Sequence, residues 1–90
     1  MGGVNLLLLN DELNTSIEEQ GGKKFLDHWK RFCWIYDIST FDFNVLKSNR
    51  EFFNDFSMSY SVSKEILKNN LDKDVFEELD KFMSEIEQNK

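Results

Sequence analysis

The chain has 90 residues and a formal net charge of −6, and 40% of its residues are hydrophobic, among them nine Phe, two Trp and two Tyr. Because a chain so rich in rings can bury a core, we predict one domain spanning 1–90 with flexible ends at 1–3 and 88–90, and we exclude a disordered chain. The single Cys excludes an internal disulfide framework and is typical of a cytoplasmic protein, and no apolar run approaches the length of a membrane span, about 20 residues.

The N-terminal segment supports two interpretations. Four of its apolar residues recur at helical spacing: Leu6, Leu9, Leu13 and Ile17. The run VNLLLL also has the length and composition of a short buried strand, and periodicity alone does not separate the two structures. We therefore predict a helix from about Asn10 and leave residues 4–9 open between helix and strand.

A second helix is predicted to begin after the glycine pair at 21–22, since adjacent glycines interrupt a helix. Its apolar residues share an arc of about 120°: Phe25, Leu26, Trp29, Phe32, Cys33 and Tyr36. Trp34 falls on the opposite side, one turn beyond Lys30 and Arg31. Either Trp34 packs with Ile35 on a second neighbour, or it is an aromatic anchor for a partner, rimmed by the stems of Lys30 and Arg31.

Two stretches in the middle of the chain, ISTFDFNVL and SMSYSVS, alternate polar and apolar residues. This is the period of a β-strand with one buried face. Strands near 41–46 and 56–62, with a third near 4–9, would give a small α+β fold, which we keep as the alternative fold.

Helical spacing is nevertheless the stronger pattern in this part of the chain. One helical arc holds Phe52, Phe53, Phe56, Tyr60 and Leu67. A lone strand at 56–62 would also need a pairing partner, and only short candidates exist. We therefore predict helix through residues 57–63, with a break near 61–63, Tyr60 inward and the serines toward solvent or a helix end.

The C-terminal stretch DVFEELDKFMSEIEQ has the clearest helical period of the chain. Its apolar residues fall within about 120° of arc: Val75, Phe76, Leu79, Phe82, Met83 and Ile86. Asp74 followed by Glu77 resembles a capping box, so a helix is predicted to begin near Asp74. Together these periods predict a mostly α fold, a small single-domain bundle of four to five helices.

Residues that carry catalysis or bind metals are scarce. His28 and Cys33 are the only His and Cys, and they lie on different sides of one predicted helix, so they do not form a Cys–His nucleophile. Zinc needs several Cys or His ligands, and the chain has no glycine-rich phosphate loop or complete calcium loop. We predict no enzymatic activity, no catalytic residues, no metal site and no cofactor.

Charge is distributed unevenly along the chain. Residues 1–20 carry four acidic and no basic residues, 21–50 carry six basic against three acidic, and 51–90 carry ten acidic against five basic. An acidic surface of this kind suits a basic partner. The abundance of Lys over Arg, with many Asn and Phe, also indicates a low-GC genome such as that of a bacterium or its phages.

These features predict a small acidic cytoplasmic protein-interaction module. It would bind and occlude another protein with a basic surface, as an inhibitor, immunity protein or adaptor of phage or mobile-element type, without a membrane. The predicted partner-binding residues are Trp34, Lys30, Arg31, Glu77, Glu78 and Glu85.

Two other functions are kept as alternatives. A nucleic-acid-binding accessory protein would use the basic segment 23–34 with Trp34 as a stacking surface, although the net charge of −6 argues against phosphate contacts. A structural homo-oligomer, in the simplest case a homodimer, would bury the exposed apolar residues against a copy of itself.

Overall fold

The computed structural model describes residues 10–89, and all regular structure in this range is helical. Its α-helices are α1 Asp11–Ile17, α2 Lys23–Ile35, α3 Phe43–Ser48, α4 Arg50–Asn70 and α5 Lys73–Gln88. A π-helical turn, Glu18–Gly22, joins α1 to α2, and a short 3-10 helix, Ile38–Thr40, follows α2. The prediction of a small, mostly α bundle is confirmed.

The alternative α+β fold is wrong within the described residues. Residues 41–46 lead into α3, and 56–62 lie inside α4, so neither stretch is a strand. The helical period outweighs the local alternation because it places the apolar residues on both sides of the alternating stretch on one buried face. The strand considered at 4–9, the flexible end predicted at 1–3 and residue 90 of the flexible end predicted at 88–90 lie outside the described residues.

Side-chain caps and one glycine set the helix boundaries in the N-terminal half. Asn10 accepts a hydrogen bond from the Leu13 N–H at 2.9 Å, so α1 begins where the sequence predicts it. Gly21 has a φ of 104°, which glycine adopts far more readily than other residues, and the chain turns there from α1 into α2. Asp42 starts α3 by accepting a hydrogen bond from the Asn44 N–H, also at 2.9 Å.

α4 is one continuous helix of 21 residues, so the break predicted near 61–63 is absent. The helix contains no Gly or Pro that could interrupt it. Tyr60 is buried, as predicted, and anchors the middle of the helix in the core.

The prediction that the serines of α4 face solvent is wrong for Ser57, Ser59 and Ser63, which are all buried. Ser59 and Ser63 lie on one stripe of α4 with Ile66 and Asn70. The Asn70 side chain accepts a hydrogen bond at 2.8 Å from Ser16, which belongs to α1. Small side chains along this stripe let α1 and the π-helical turn approach α4 closely, and the hydroxyls are covered as a result.

α5 begins at Lys73, one residue earlier than predicted, and its N-terminus is not capped in the predicted way. Asp72 precedes the helix without a side-chain capping hydrogen bond, so the capping box predicted at Asp74 and Glu77 is wrong. The Glu77 carboxylate lies 4.0 Å from the Lys73 ammonium and does not reach back to the backbone. The predicted inner face is confirmed, with Leu79, Phe82, Met83 and Ile86 buried and Val75 and Phe76 partly buried.

Aromatic rings fill the core between α2, α4 and α5. Phe32 is fully buried, and its ring centroid lies 5.4–6.1 Å from those of Trp29, Tyr36, Phe41, Phe53, Phe56 and Phe82. Phe25 pairs with Tyr60, whereas Phe32 pairs with Phe53, so α2 and α4 run antiparallel. The inner face of α2 is thus committed to the core, and its outer face is left to solvent.

Candidate protein-binding surfaces

Trp34 is the most exposed large hydrophobic residue in the described part of the chain, with 91% of its surface accessible to solvent. Ile35, its neighbour at the C-terminal end of α2, is 52% exposed. The interpretation in which Trp34 packs on a second neighbour is therefore wrong for residues 10–89, and the leucines at 6–9, which that interpretation included as a neighbour, lie outside the described residues. Trp34 lies on the outer face because Phe25 and Phe32, on the opposite side of the same helix, are drawn into the core.

Lys30 and Arg31, one turn before Trp34, are each held by a neighbouring element. The Lys30 ammonium lies 3.8 Å from the carboxylate of Glu18 in the π-helical turn. The Arg31 guanidinium lies 5.3 Å from the ring centroid of Phe52 on α4, a cation–π distance. The outer face of α2 therefore presents an exposed apolar pair, Trp34 and Ile35, next to two cations with defined positions.

The acidic residues singled out on α5 fall into two groups. Glu78 and Glu85 share one flank of the helix and, with Lys81 and Phe82, line a cavity of 300 Å³. Glu77 lies about 100° further round the helix, beside Lys73. The sequence-predicted site residues thus form one group on α2 and one on α5, with Glu77 apart from both.

The reactive side chains are engaged in the fold. Burial raises the pKa of the Cys33 thiol to about 11, so the thiolate, which is the nucleophilic form, is scarce at neutral pH. His28 donates a hydrogen bond from Nδ1 to the Lys24 carbonyl at 2.8 Å, and its ring lies against Phe52 and Phe56 of α4. Both side chains therefore act in packing.

A polar network between α4 and α5 is absent from the sequence-based prediction. Tyr60 donates a hydrogen bond to Asp80 Oδ1 at 2.6 Å, and the Lys64 ammonium lies 3.4 Å from the same oxygen. The hydrogen bond from Tyr60 lowers the pKa of the Asp80 carboxyl, and Lys64 lowers it further. Burial raises the pKa of the Tyr60 hydroxyl, and the hydrogen bond to Asp80 raises it further.

Only the proximity of Tyr60 and Lys64 in this network can be predicted from the sequence. Tyr60 and Lys64 are one turn apart in a predicted helix, so their proximity is predictable. Asp80 lies 20 residues beyond Tyr60, and its place beside them depends on how α5 packs on α4. Asp80 also has the appearance of one more acidic residue on the polar side of an amphipathic helix.

Among residues 10–89, no three His, Cys, Asp or Glu side chains converge in a way that could hold a metal ion. The same part of the chain has no helix with both the length and the apolar character that crossing a bilayer requires. Comparisons of the chain with protein-family models, curated proteins and solved structures find no match. Function must therefore be inferred from the residues and their geometry.

Proposed function

We propose that this chain is a small protein-interaction module that binds a partner protein and occludes part of its surface, with Trp34 as the anchor. The observation that supports the proposal most is the 91% exposure of Trp34 on a helix whose other aromatic residues are buried. Trp and Arg are the residue types most enriched among those that dominate binding energy, and here Arg31 lies one turn from Trp34.

The anchor is well prepared for binding because its surroundings are already ordered. Trp34 sits near the end of a 13-residue helix whose inner face is fixed by the aromatic core. Arg31 lies over the Phe52 ring and Lys30 lies 3.8 Å from Glu18, so both cations already flank the anchor before a partner covers this face. Burial of the indole ring would then supply most of the affinity.

Charge would determine which partners approach. The net charge of −6 and the two neighbouring carboxylates of Glu78 and Glu85 on α5 favour a partner with a basic surface and speed its association. The mechanism is then occlusion without catalysis, as expected of an inhibitor, an immunity protein or an adaptor of phage or mobile-element type that acts in the cytoplasm.

The nucleic-acid alternative has less support. Of the basic residues in segment 23–34, Lys23 lies 2.9 Å from Asp27, Lys30 is paired with Glu18, and Arg31 is stacked on Phe52. Contacts to phosphate would have to replace these interactions and overcome the negative net charge.

The test compares three forms of the chain: wild type, Trp34→Ala and Val62→Ala. Val62 is the matched control, since it is 80% exposed but lies on α4, away from the anchor. We expect a protein captured from lysate of the source organism to be retained by wild type and by Val62→Ala and to be lost from Trp34→Ala. With that protein purified, Trp34→Ala should weaken the Kd by about 30-fold or more, which corresponds to about 2 kcal/mol.

Two further measurements separate the proposal from its alternatives. All three forms should unfold within about 0.5 kcal/mol of one another, because neither substituted side chain is buried. Light scattering on the purified chain tests the homodimer, and self-association that depends on Trp34 would favour that function instead. Unchanged partner binding by Trp34→Ala would eliminate the anchor.

A further inference from the structure

Two cavities meet where α3 joins α4, and both are lined by Lys47 and Arg50. The first has a volume of 340 Å³ and is also lined by Leu46, Asn54 and Asn89. The second has a volume of 460 Å³ and is also lined by Ser48, Asn49, Glu51 and Phe52. Both cations are exposed, so their charged groups are open to an occupant of either cavity.

Neither cation is neutralised by an ion pair within residues 10–89. The ion pairs of this range are formed by four other lysines: Lys23, Lys30, Lys64 and Lys73. Glu51 is the one acidic residue among the described residues that line the two cavities. Two cations and one carboxylate leave a single positive charge, so the cavities suit an occupant that carries a single negative charge.

The two cavities lie at the same end of the bundle as Trp34. α2 and α4 run antiparallel, and the ring centroids of Tyr36 and Phe53 are 5.9 Å apart, so the C-terminal end of α2 lies beside the start of α4. Phe52, which lines the second cavity, lies under the guanidinium of Arg31, one turn before Trp34. One segment of a partner can therefore cover the exposed indole and also reach the two unpaired cations.

We propose that Lys47 and Arg50 bind a carboxylate of the partner protein, supplied by an Asp or Glu side chain of the segment that covers Trp34. The planar guanidinium of Arg50 can donate two hydrogen bonds to one carboxylate, and the Lys47 ammonium supplies a second positive charge. The protein origin of the carboxylate rests on the proposed function. The preference of the cavities for a carboxylate does not, and it is tested separately.

A single carboxylate fits the charge of this chain better than a nucleic acid does. A nucleic acid would bring a series of phosphates toward Glu51 and toward a chain whose net charge is −6. A partner with a basic surface can still present one carboxylate here. Long-range attraction depends on the charge of whole surfaces, whereas an ion pair depends on the nearest groups.

The first experiment titrates the isotope-labelled full chain with N-acetyl-glutamate amide at constant ionic strength and follows backbone amide shifts by NMR. N-acetyl-glutamine amide, which has nearly the same shape but no charge, and a short oligothymidine are titrated in parallel. We expect saturable shifts at 46–54 and at Asn89 with the glutamate probe, with a Kd on the order of tens of millimolar, and none at these positions with the other two probes.

Three results of this titration would overturn the proposal. A response to the glutamine probe equal to that of the glutamate probe would show that charge is not recognised. Shifts that do not saturate would show that no site exists. Tighter binding of the oligothymidine at 46–54 would assign this end of the bundle to nucleic acid.

Variants place the binding at the two cations. Lys47→Gln should weaken the Kd of the glutamate probe by about threefold or more, and Arg50→Lys should also weaken it, because it keeps the charge but loses the planar pair of donors. Lys68→Gln is the matched control, since Lys68 is exposed near the other end of α4 and its substitution changes the net charge equally. Equal weakening by Lys68→Gln would contradict a local site. Amide spectra of each variant show whether it is folded.

The second experiment measures the Kd of the Trp34-dependent partner for Lys47→Gln and Lys68→Gln. Each substitution makes the chain more negative, so attraction of a basic partner by net charge alone would leave both variants binding as tightly as wild type or more tightly. We expect Lys47→Gln alone to weaken the Kd, by about fivefold or more. Replacing one Asp or Glu of the partner by its amide should abolish the difference between Lys47→Gln and wild type.

The two experiments separate failure of this contact from failure of the proposed function. If the glutamate probe binds but Lys47→Gln leaves partner affinity unchanged, the carboxylate contact is overturned while the Trp34 anchor stands. If no partner depends on Trp34, the proposed function fails, and the titration still decides whether Lys47 and Arg50 form a carboxylate site.

Discussion

Asp80 makes the stability of the fold depend on pH, because its carboxylate stabilises the fold only when it is ionised. Its carboxylate accepts the 2.6 Å hydrogen bond from Tyr60, and its pKa is lower in the folded chain than in the unfolded chain. The ionised carboxylate therefore stabilises the fold at pH values above the unfolded pKa, about 3.9. This stabilisation is lost as the pH falls through the lowered folded value.

Tyr60→Phe tests this linkage because it deletes the hydrogen bond and keeps the ring. We expect a loss of about 1 kcal/mol in the free energy of unfolding at pH 7, a small value because Asp80 is partly exposed. The pKa of Asp80 should rise toward its ordinary value, and the stability difference should shrink as the pH falls through the lowered folded pKa of Asp80. Urea unfolding at several pH values and NMR titration of the carboxyl carbon measure both effects. A difference that persists at low pH would assign the loss to packing.

Phe32 and Trp34 provide a second residue-scale test, since they are two positions apart on one helix and have opposite environments. Phe32→Ala removes a fully buried ring from the centre of the core and should cost about 3–5 kcal/mol. Because a domain of this size has a free energy of unfolding of only about 5–13 kcal/mol, the loss is a large fraction of the total and should be plain in urea unfolding followed by circular dichroism. Trp34→Ala should remain within about 0.5 kcal/mol of wild type, and comparable losses would contradict the assigned faces of α2.

At the scale of the elements, the turn between α1 and α2 depends on two glycines for different reasons. A methyl group at Gly21 would meet only Ile66, at an ordinary contact distance of 3.8 Å, so its cost is the positive φ alone. A methyl group at Gly22 would overlap Ile17 Cγ2 and lie 3.1 Å from the Ile17 carbonyl oxygen. The side chain of Ile17 is buried and has little freedom to move away.

We therefore expect Gly21→Ala to destabilise the fold by about 1 kcal/mol and Gly22→Ala to destabilise it by about 2–3 kcal/mol. Thermal and urea unfolding of the two variants provide the comparison. Gly21→Asn is a useful control, because Asn tolerates positive φ better than Ala and should recover part of the loss. The reverse order of the two alanine variants would mean that the turn relaxes around Gly22.

Helix existence was predictable from sequence, whereas details of helix packing were not. A period of 3.6 residues placed Phe25, Phe32 and Phe82 correctly, because large apolar groups dominate the energy of burial. Ser57 and Ser63 were misplaced because a small polar residue contributes little to that period. Their burial follows from which helix lies against each side of α4, and this depends on contacts between residues far apart in sequence.

The candidate binding residues divide in the same way. Trp34 was singled out because its large apolar side chain breaks the period of α2, and this deviation is visible in one helix. The network of Tyr60, Lys64 and Asp80 was missed because it is formed by two helices. It exists only once α4 and α5 are placed together.

At the scale of the whole molecule, the question is whether net charge or local charge guides association with a basic partner. Glu78 and Glu85 line the same cavity on α5, whereas Glu51 and Glu65 are exposed on α4. Replacing either pair by Gln removes two negative charges from the net charge of −6 and leaves the side-chain shapes nearly unchanged. The two double variants therefore have the same net charge and differ only in where charge is lost.

We expect Glu78→Gln with Glu85→Gln to slow association with the Trp34-dependent partner by about three- to tenfold at low ionic strength, and Glu51→Gln with Glu65→Gln to slow it less. Stopped-flow association rates between about 20 and 300 mM salt measure the effect, and the difference between the variants should fade as salt screens exposed charges. Dissociation rates should change little, because the apolar anchor on α2 is intact in both. Equal slowing by the two pairs would show that net charge alone steers the encounter, and the flank of α5 that holds Glu78 and Glu85 would then have no specific part in binding.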